Sequence, residues 1–212
     1  MRGFNYSSIR DQKWDSDILG YIAAIYKYAG KQELYLKQKP DELEKLVEIA
    51  KIQSTEASNA IEGIVTTNTR IKQLVEEKTT PRNRDEQEIA GYRDALNIIH
   101  ESFDAIPISR NYILQLHKIL YSHMNNPLAG QTKNVQNYIS ASYPDGHSEI
   151  LFTPLPPYET PEALDKICEE YNKVIGNFEV EPLIAIPVFI HDFLCIHPFN
   201  DIMRTQVKDC VA

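Results

Sequence analysis

Apolar residues recur at intervals of three and four along most of the chain, which is the period of an α-helix with one buried face. Pro40 suits the first turn of a helix and Gly63 suits the position just after a last turn, so one helix is expected between them. Ser109 and Thr160 are capping residues for two later helices. The helical pattern covers residues 14–29, 40–60, 67–77, 85–103, 111–123, 160–175 and a final stretch from 181 to 196.

Several of these helices have an apolar stripe. In the first helix it consists of Ile18, Ile22, Ile25 and Ala29. In the helix over 85–103 it consists of Ile89, Tyr92, Leu96 and Ile99. Asp15 or Asp17 can cap the start of the first helix. Pro187 lies inside the final helical stretch, where it either kinks the helix or moves its true start to a later residue.

Residues 125–161 lose the helical period and are rich in Pro, Gly, Ser and Tyr. The dipeptide Asp145-Gly146 favours a tight turn. The runs on either side of it, residues 136–140 and 149–153, are predicted to be the two short strands of a β-hairpin. The sequence therefore predicts an all-α fold, a helical bundle with one small β-hairpin.

Composition limits the classes of protein that this chain can be. Its 212 residues are 42% hydrophobic and 25% charged, which is ordinary for a globular protein. The net charge of −8 argues against a nucleic-acid-binding face, which needs clustered Lys and Arg. No run of about 18 apolar residues predicts a membrane span, and residues 1–6 lack the apolar core of a signal peptide. The three cysteines have no metal-ligand spacing, so a reducing, cytoplasmic location is expected.

The end of the last apolar helix carries residues suited to chemistry. Pro198 disfavours the helical conformation at the residue before it, so His197 is expected at a helix end where a loop begins. A lone histidine beside an apolar helix is more often structural than catalytic, but this position displays the imidazole. Asp201 adds a hard carboxylate of the kind that binds Mg²⁺ near phosphates. The two residues pair a candidate general base with a candidate metal ligand.

The hexapeptide Ile196-His197-Pro198-Phe199-Asn200-Asp201 resembles the start of the active-site motif of the Fic family, His-Pro-Phe-x-Asp/Glu-Gly-Asn-Gly-Arg. Members of that family mostly transfer AMP from ATP to a protein hydroxyl. By resemblance, His197 would be the general base that takes the proton from a Tyr, Thr or Ser hydroxyl of a target protein. Asp201 would hold Mg²⁺ against the α- and β-phosphates, and pyrophosphate would leave.

A second segment, Ser58-Asn59-Ala60-Ile61-Glu62-Gly63, resembles the inhibitory pattern of the family, Ser/Thr-x-x-x-Glu-Gly/Asn. In the family this glutamate pairs with the second arginine of the active-site motif, and ATP then binds unproductively. The resemblance implies that Ser58, Glu62 and Gly63 form a regulatory brake at the end of an N-terminal helix.

The predicted hairpin resembles the flap of the family. Gly130 and the run Gln136-Asn137-Tyr138-Ile139 resemble the segment Gly-x-x-Arg-x-x-Gln-Asn-Trp-Ile, although Lys133 stands where arginine is usual. The run Phe152-Thr153-Pro154 resembles the stretch that closes the flap, which implies that these residues contribute to nucleotide binding. In the family the flap holds the target segment by strand addition. The three motifs occur in family order.

The resemblance ends abruptly after the aspartate. Ile202 and Met203 stand in place of the anion-binding glycines, and Thr205 occupies the first arginine slot, with Arg204 one position early and Lys208 at the second slot. A truncation or frame shift after residue 201 is favoured, because the match is good up to that point. The alternatives are a degenerate Fic-like protein that binds nucleotide weakly or binds only a partner, and a functional variant in which Arg204 and Lys208 bind the phosphates.

The resemblance thus predicts an N-terminal helical region, residues 1–80, that carries the inhibitory motif, and a Fic-like core, residues 81–212. It implies an Mg²⁺-dependent protein adenylyltransferase that is autoinhibited by Glu62 and uses Arg204 as a phosphate contact. The alternative is a catalytically inactive interaction module or a fragment. Expected partners are ATP and an unidentified target protein bound through the flap. Neither nucleic acid nor a membrane is expected, and a homodimer stays open.

Overall fold

The structure is a computed structural model that describes residues 3–38, 40–61, 63–64, 66–143 and 145–200. It is mostly helical, with one two-stranded antiparallel sheet, which confirms the predicted fold class. The helices are α1 (Ser16–Gln38), α2 (Pro40–Ile61), α3 (Asn68–Val75), α4 (Arg84–Ser102), α5 (Arg110–Leu120), α6 (Thr160–Gly176) and α7 (Pro182–Ile196), and a short 3₁₀ helix spans Tyr6–Asp11. The strands are β1 (Ile139–Ser142) and β2 (Ser148–Phe152). Within these described ranges no helix is long and apolar enough to cross a membrane.

The ends of α1, α2 and α5 follow the capping chemistry of the sequence. The carboxylate of Asp15 accepts a hydrogen bond from the backbone N–H of Ile18 at 2.9 Å, so Asp15 rather than Asp17 caps α1. At the end of α2, Gly63 has φ +74°, and its N–H donates to the carbonyl of Ala60. The N–H of residue 64 reaches the carbonyl of residue 59 at 2.9 Å, which completes a Schellman motif.

The expected cap Thr160 is instead the first residue of α6, and its hydroxyl donates to the carbonyl of Pro156. The N-cap residue of α6 is Glu159, whose side chain makes no capping hydrogen bond.

The main core lies between α6, α7 and the N-terminal segment. Phe4, Tyr6 and Ile9 are buried there against α6, together with the fully buried Leu164 and Ile167. The sequence pattern did not predict this role for the first ten residues, because a short 3₁₀ turn is too brief to show a period. The core thus joins residues that are more than 150 positions apart.

A smaller cluster ties α2, α3 and α4 together. Ile64, Leu74 and Ile89 are buried in it. Beside it the guanidinium of Arg70 donates to both carboxylate oxygens of Glu86, at 2.8 and 2.7 Å, and both side chains are buried. The paired guanidinium holds the pKa of the Glu86 carboxyl at about 2, well below its usual value of 4.5. This ion pair fixes α3 on the first turn of α4.

Two predictions about single elements need correction, and the structure decides between the two alternatives left open for Pro187. The helix that starts at Ser16 extends to Gln38, nine residues beyond the predicted end. Pro187 lies inside α7, which begins at Pro182, so the proline does not delay the start of the helix. Ile99 is 39% exposed, because α3 and α5 cover mainly the first three turns of α4.

Candidate functional site

The candidate site begins where α7 ends. His197 is the C-cap residue, in the left-handed conformation with φ 48° and ψ 69°, and its N–H donates to the carbonyl of Phe193 at 3.0 Å. Pro198 forces this departure from the helix, as the sequence predicts. Few residues other than glycine adopt this backbone conformation, and such residues are common at functional sites. His197 is half-buried, not largely exposed as the loop position alone would suggest.

Lys133 supports the C-terminal end of α7. Its side chain is almost fully buried, and its ammonium donates to the carbonyl of Ile196 at 2.9 Å. Its backbone N–H donates to the carbonyl of Pro198 at 2.7 Å. A cation at this point neutralises the partial negative charge of the helix C-terminus. The lysine that stands in place of the family's arginine is therefore a structural part of this loop.

Asn137 completes the frame around the motif. Its side-chain amide donates to the carbonyl of Phe199 at 3.0 Å and lies 3.5 Å from the carbonyl of His197. Its amide oxygen accepts from the ammonium of Lys133 at 2.9 Å. All four carbonyl oxygens of residues 196–199 are thus bonded by two residues, Lys133 and Asn137. The segment 133–137 sets the path of the motif loop.

Phe199 anchors the loop on α5. Its ring stacks on the imidazole of His117, with ring centroids 3.8 Å apart and an interplanar angle of 2°. Burial lowers the pKa of His117 to about 4, so this imidazole is neutral at physiological pH. Its Nδ1 accepts a hydrogen bond from the N–H of Gly130 at 2.9 Å, which places the proton of the neutral ring on Nε2. His117 therefore connects α5, the loop at residue 130 and the motif.

The β-hairpin is attached to the same loop. Strands β1 and β2 pair antiparallel, with a register shift next to Ile139. The side chain of Gln136 donates to the carbonyl of Pro154 at 3.1 Å, so the residues after β2 are tied to the segment behind His197. Pro154 is buried, whereas Phe152 and Thr153 are exposed at the end of the hairpin. The predicted hairpin thus begins and ends beside the motif.

Two of the predicted regulatory residues, Ser58 and Gly63, lie in the last turn of α2 and just after it. The hydroxyls of Ser58 and Tyr92 are 2.9 Å apart, which joins α2 to α4. Gly63 forms the C-terminal turn of α2, as described above. No hydrogen bond links Ser58 or Gly63 to the motif loop in the residues that the structure describes. Glu62 lies outside the described residues, so its role stays a prediction.

Two predicted ligands of phosphate and metal also lie outside the described residues, namely Arg204 and Asp201. Among the described residues, no cluster of His, Cys, Asp or Glu could hold a metal ion. Next to Asp201, the amide oxygen of Asn200 accepts from the N–H of Asn134 at 3.2 Å. The buried amide nitrogen of Asn200 has no partner within the described chain, so it remains a donor at the edge of the loop.

Sequence reasoning missed His117 and underrated Lys133. A histidine at a buried helix position is usually structural, and no spacing in the sequence links it to residue 199. The partial match to the Gly-x-x-Arg segment was a sufficient signal for Lys133, because a buried cation near a helix C-terminus is rarely without a function in the fold.

Comparison with known proteins agrees with this geometry. Residues 107–202 match the model of the Fic/DOC family. A Fic domain containing signaling protein from Bacteroides thetaiotaomicron VPI-5482 superposes on this chain with a TM-score of 0.64 at 22% identity. The match covers 77% of this chain and 61% of that one. The two proteins share a fold over the matched part, and this chain spans less than two thirds of the other protein's length. No curated protein matches the sequence.

Proposed function

Because residues 107–202 match the model of the Fic/DOC family, we propose that this chain is a protein adenylyltransferase. It transfers AMP from ATP to a Tyr, Thr or Ser hydroxyl of a target protein. The hydroxyl oxygen forms a bond to the α-phosphorus, the bond from that phosphorus to the bridging oxygen breaks, and pyrophosphate leaves. The proton of the hydroxyl passes to the imidazole of His197.

The observation that carries the proposal is the frame around His197. The carbonyls of residues 196–199 all face Lys133 and Asn137. In a trans peptide the next N–H points the opposite way, so the N–H groups of Phe199 and Asn200 face away from this frame. Backbone N–H groups turned to one side of a loop suit an anion such as a phosphate. We propose that a phosphate of the nucleotide binds on this side of the loop, beside the imidazole of His197.

Residues next to the described loop supply the remaining contacts of the proposal. Asp201 is the residue that would hold Mg²⁺, since a hard carboxylate suits this ion, and Arg204 would bind a phosphate. Mg²⁺ bound there would neutralise charge on the phosphates. Catalysis of this kind depends mainly on positioning and charge stabilisation.

The hairpin is the proposed docking element for the target. Residues 148–152 are exposed along the whole of β2, so the hairpin is open to a partner strand. A target segment added to it would be aligned by main-chain hydrogen bonds, whatever its side chains. Phe152 and Thr153 would then lie between the bound segment and the nucleotide, with Pro154 fixed to the motif frame through Gln136.

Glu62 is the proposed brake, through competition for the cation that binds the γ-phosphate. The Schellman turn at Gly63 fixes the end of α2, and the Ser58–Tyr92 contact fixes its last turns on α4. Replacing Glu62 with glycine would remove the carboxylate without touching either contact.

The test is transfer of label from α-labelled ATP, with Mg²⁺, to the chain itself and to added proteins. We expect label that rises with Glu62→Gly and disappears when His197→Ala is added to that variant. His191→Ala is the matched control, because this exposed histidine lies on the same helix and should leave labelling unchanged. Labelling that survives His197→Ala would contradict the role of His197 as the base.

The alternative function is a non-catalytic interaction module. It is favoured by Ile202 and Met203, which stand where the family has small anion-binding residues. A ligand that binds only the folded state raises the melting temperature, so millimolar ATP with Mg²⁺ discriminates the two functions. The enzyme predicts a rise in Tm, and the interaction module predicts none.

A further inference from the structure

Helix α1 is exposed on nearly all sides. Between residues 16 and 35 every side chain is exposed except Ile18 and Ile22, which are half-buried. Yet the helix is rich in large apolar residues, and several of them are among the most exposed in the chain. Contiguous apolar surface of this kind is uncommon on a monomer and marks an interaction site.

These apolar residues follow a coiled-coil spacing. Tyr21, Tyr28 and Tyr35 recur every seven residues and are 69%, 65% and 59% exposed. Ile18 precedes Tyr21 and Ile25 lies between Tyr21 and Tyr28, so the steps from residue 18 to residue 28 are three, four and three. The next step of four falls on Gln32, and a step of three then leads to Tyr35. Alternating steps of three and four form a single seam that packs against another helix. The natural occupant of this face is therefore a helix with the same spacing.

Helix α2 extends the same surface. Tyr28 and Tyr35 of α1, with Leu43 and Leu46 of α2, form the apolar part of an open groove of about 630 Å³ between the two helices, and Lys31, Gln32 and Glu42 form its polar part. Leu46 is 57% exposed. The groove widens the seam into a concave surface that accepts a helix lengthwise.

We propose that the seam binds α1 of a second copy of this chain, antiparallel and related by a two-fold axis that passes near Ala23 and Ala24. This arrangement places Ile25 opposite the partner's Tyr21 and Ile18 opposite the partner's Tyr28. The apolar seam of each copy then covers that of the other, as an isologous interface requires.

Charge favours the antiparallel orientation. Asp17 and Lys31 both flank the seam on the same side and are equally distant from Ala24. In the antiparallel pair, Asp17 therefore meets the partner's Lys31, and the symmetric contact repeats at the other end. In a parallel pair the same positions would face apolar residues, so neither charge would gain a partner.

The available area suits a reversible dimer. Each tyrosine of the seam, about two-thirds exposed, contributes roughly 100–150 Å². With Ile25 and Leu46 the total reaches about 600 Å² per copy, somewhat below the roughly 800 Å² per partner of a standard stable interface. We therefore expect a dimer that dissociates on dilution through the micromolar range.

The first test is sedimentation velocity over a concentration series up to about 100 µM, well above a micromolar dissociation constant. The natural chain should shift from monomer to dimer, and the double variant Tyr21→Glu/Tyr28→Glu should stay monomeric. The matched control is Leu19→Glu/Leu34→Glu, which changes residues of similar exposure (56% and 60%) on the opposite side of α1. A natural chain that stays monomeric, or a control that dissociates as readily, would overturn the proposal.

The second test addresses orientation. Ala24→Cys should form a disulfide-linked dimer on mild oxidation, because residue 24 flanks the seam and meets its own copy at the two-fold axis of the antiparallel pair. In a parallel pair the two copies of residue 24 would lie on opposite sides of the seam. Leu19→Cys and the natural chain report the background from the other cysteines. Lys31→Glu should weaken the dimer, and adding Asp17→Lys should restore it. A dimer that persists without cross-linking through residue 24 would show that another surface is used.

Discussion

A single buried lysine fixes the backbone conformation at the C-terminal end of α7. Lys133 replaces an arginine of the related motif and has one compact ammonium where arginine has a planar fork. That ammonium bonds both a helix-terminal carbonyl and the side chain of Asn137. The candidate base, His197, is therefore positioned by a residue that does not face the proposed ligand.

We predict that Lys133→Met destabilises the chain by about 2 kcal/mol, because it leaves two buried oxygens without their donor. The loop of residues 196–199 loses its support, so labelling by ATP should fall as well. Denaturant unfolding measures the first effect and label transfer the second. Lys118→Met is the control, since Lys118 is exposed and lies on nearby α5. Equal stability of the two variants would refute the supporting role.

The contacts of His117 could not be predicted from the pattern of residues in the sequence. Its place on α5 was predictable from the helical period. Its stacking on Phe199 and its hydrogen bond from Gly130 depend on how a loop and a second helix return to it in space. Such long-range contacts leave no local signal in the sequence.

At the scale of elements, the close approach of two helices depends on a glycine at the point where they cross. A Cβ atom on Gly91 of α4 would overlap the backbone carbonyl of Leu120 in the last turn of α5. In contrast, a Cβ on Gly20 of α1 would meet no atom within 4 Å. The two glycines lie inside helices of similar length but have opposite structural meaning.

Gly91→Ala should therefore destabilise the chain by roughly 2 kcal/mol, since α4 and α5 must separate to fit the methyl group. Gly20→Ala should stabilise it by about 0.5–1 kcal/mol, because alanine favours the helix and nothing opposes it. Thermal unfolding of the two variants under the same conditions tests both. A Gly91→Ala protein as stable as the natural chain would mean that α4 and α5 can move apart enough for a methyl group without a loss of stability.

The elements themselves were largely predictable. Capping residues and prolines marked the starts of α2, α5 and α6, and the Asp145-Gly146 turn marked the hairpin. The hydrophobic period did not indicate the far end of α1, because its later turns, with Tyr28 and Tyr35, are not covered by the core. Tertiary burial also outweighed periodicity on α4, where Ile99 lies beyond the reach of α3 and α5.

At the scale of the whole molecule, two buried groups should control acid stability. His117 has its pKa lowered from 6.5 to about 4, so the unfolded chain binds a proton in that interval and the folded chain does not. Glu86 has its pKa lowered from 4.5 to about 2, which has the same effect in a lower interval. In both cases the contribution of the group to the free energy of unfolding is fully present above its unfolded-state pKa and is lost as the pH falls towards its folded-state pKa.

We predict that the free energy of unfolding decreases by roughly 3 kcal/mol between pH 6.5 and pH 4 through His117. His117→Asn should flatten this interval, since an amide oxygen can still accept from Gly130 but does not titrate. Glu86→Gln should flatten the interval below pH 4.5 instead. Denaturant unfolding across the pH series measures both, and a slope in the upper interval that survives His117→Asn would assign it to other groups.

The N-terminal segment has a consequence for how the chain folds. Phe4, Tyr6 and Ile9 are buried against α6, so they become buried only after α6 has formed. The N–H of Tyr6 donates to the carboxylate of Glu170, 164 residues later. Contacts with such sequence separation form slowly and expose apolar surface until they close. During synthesis, this segment leaves the ribosome well before α6, so it is buried late.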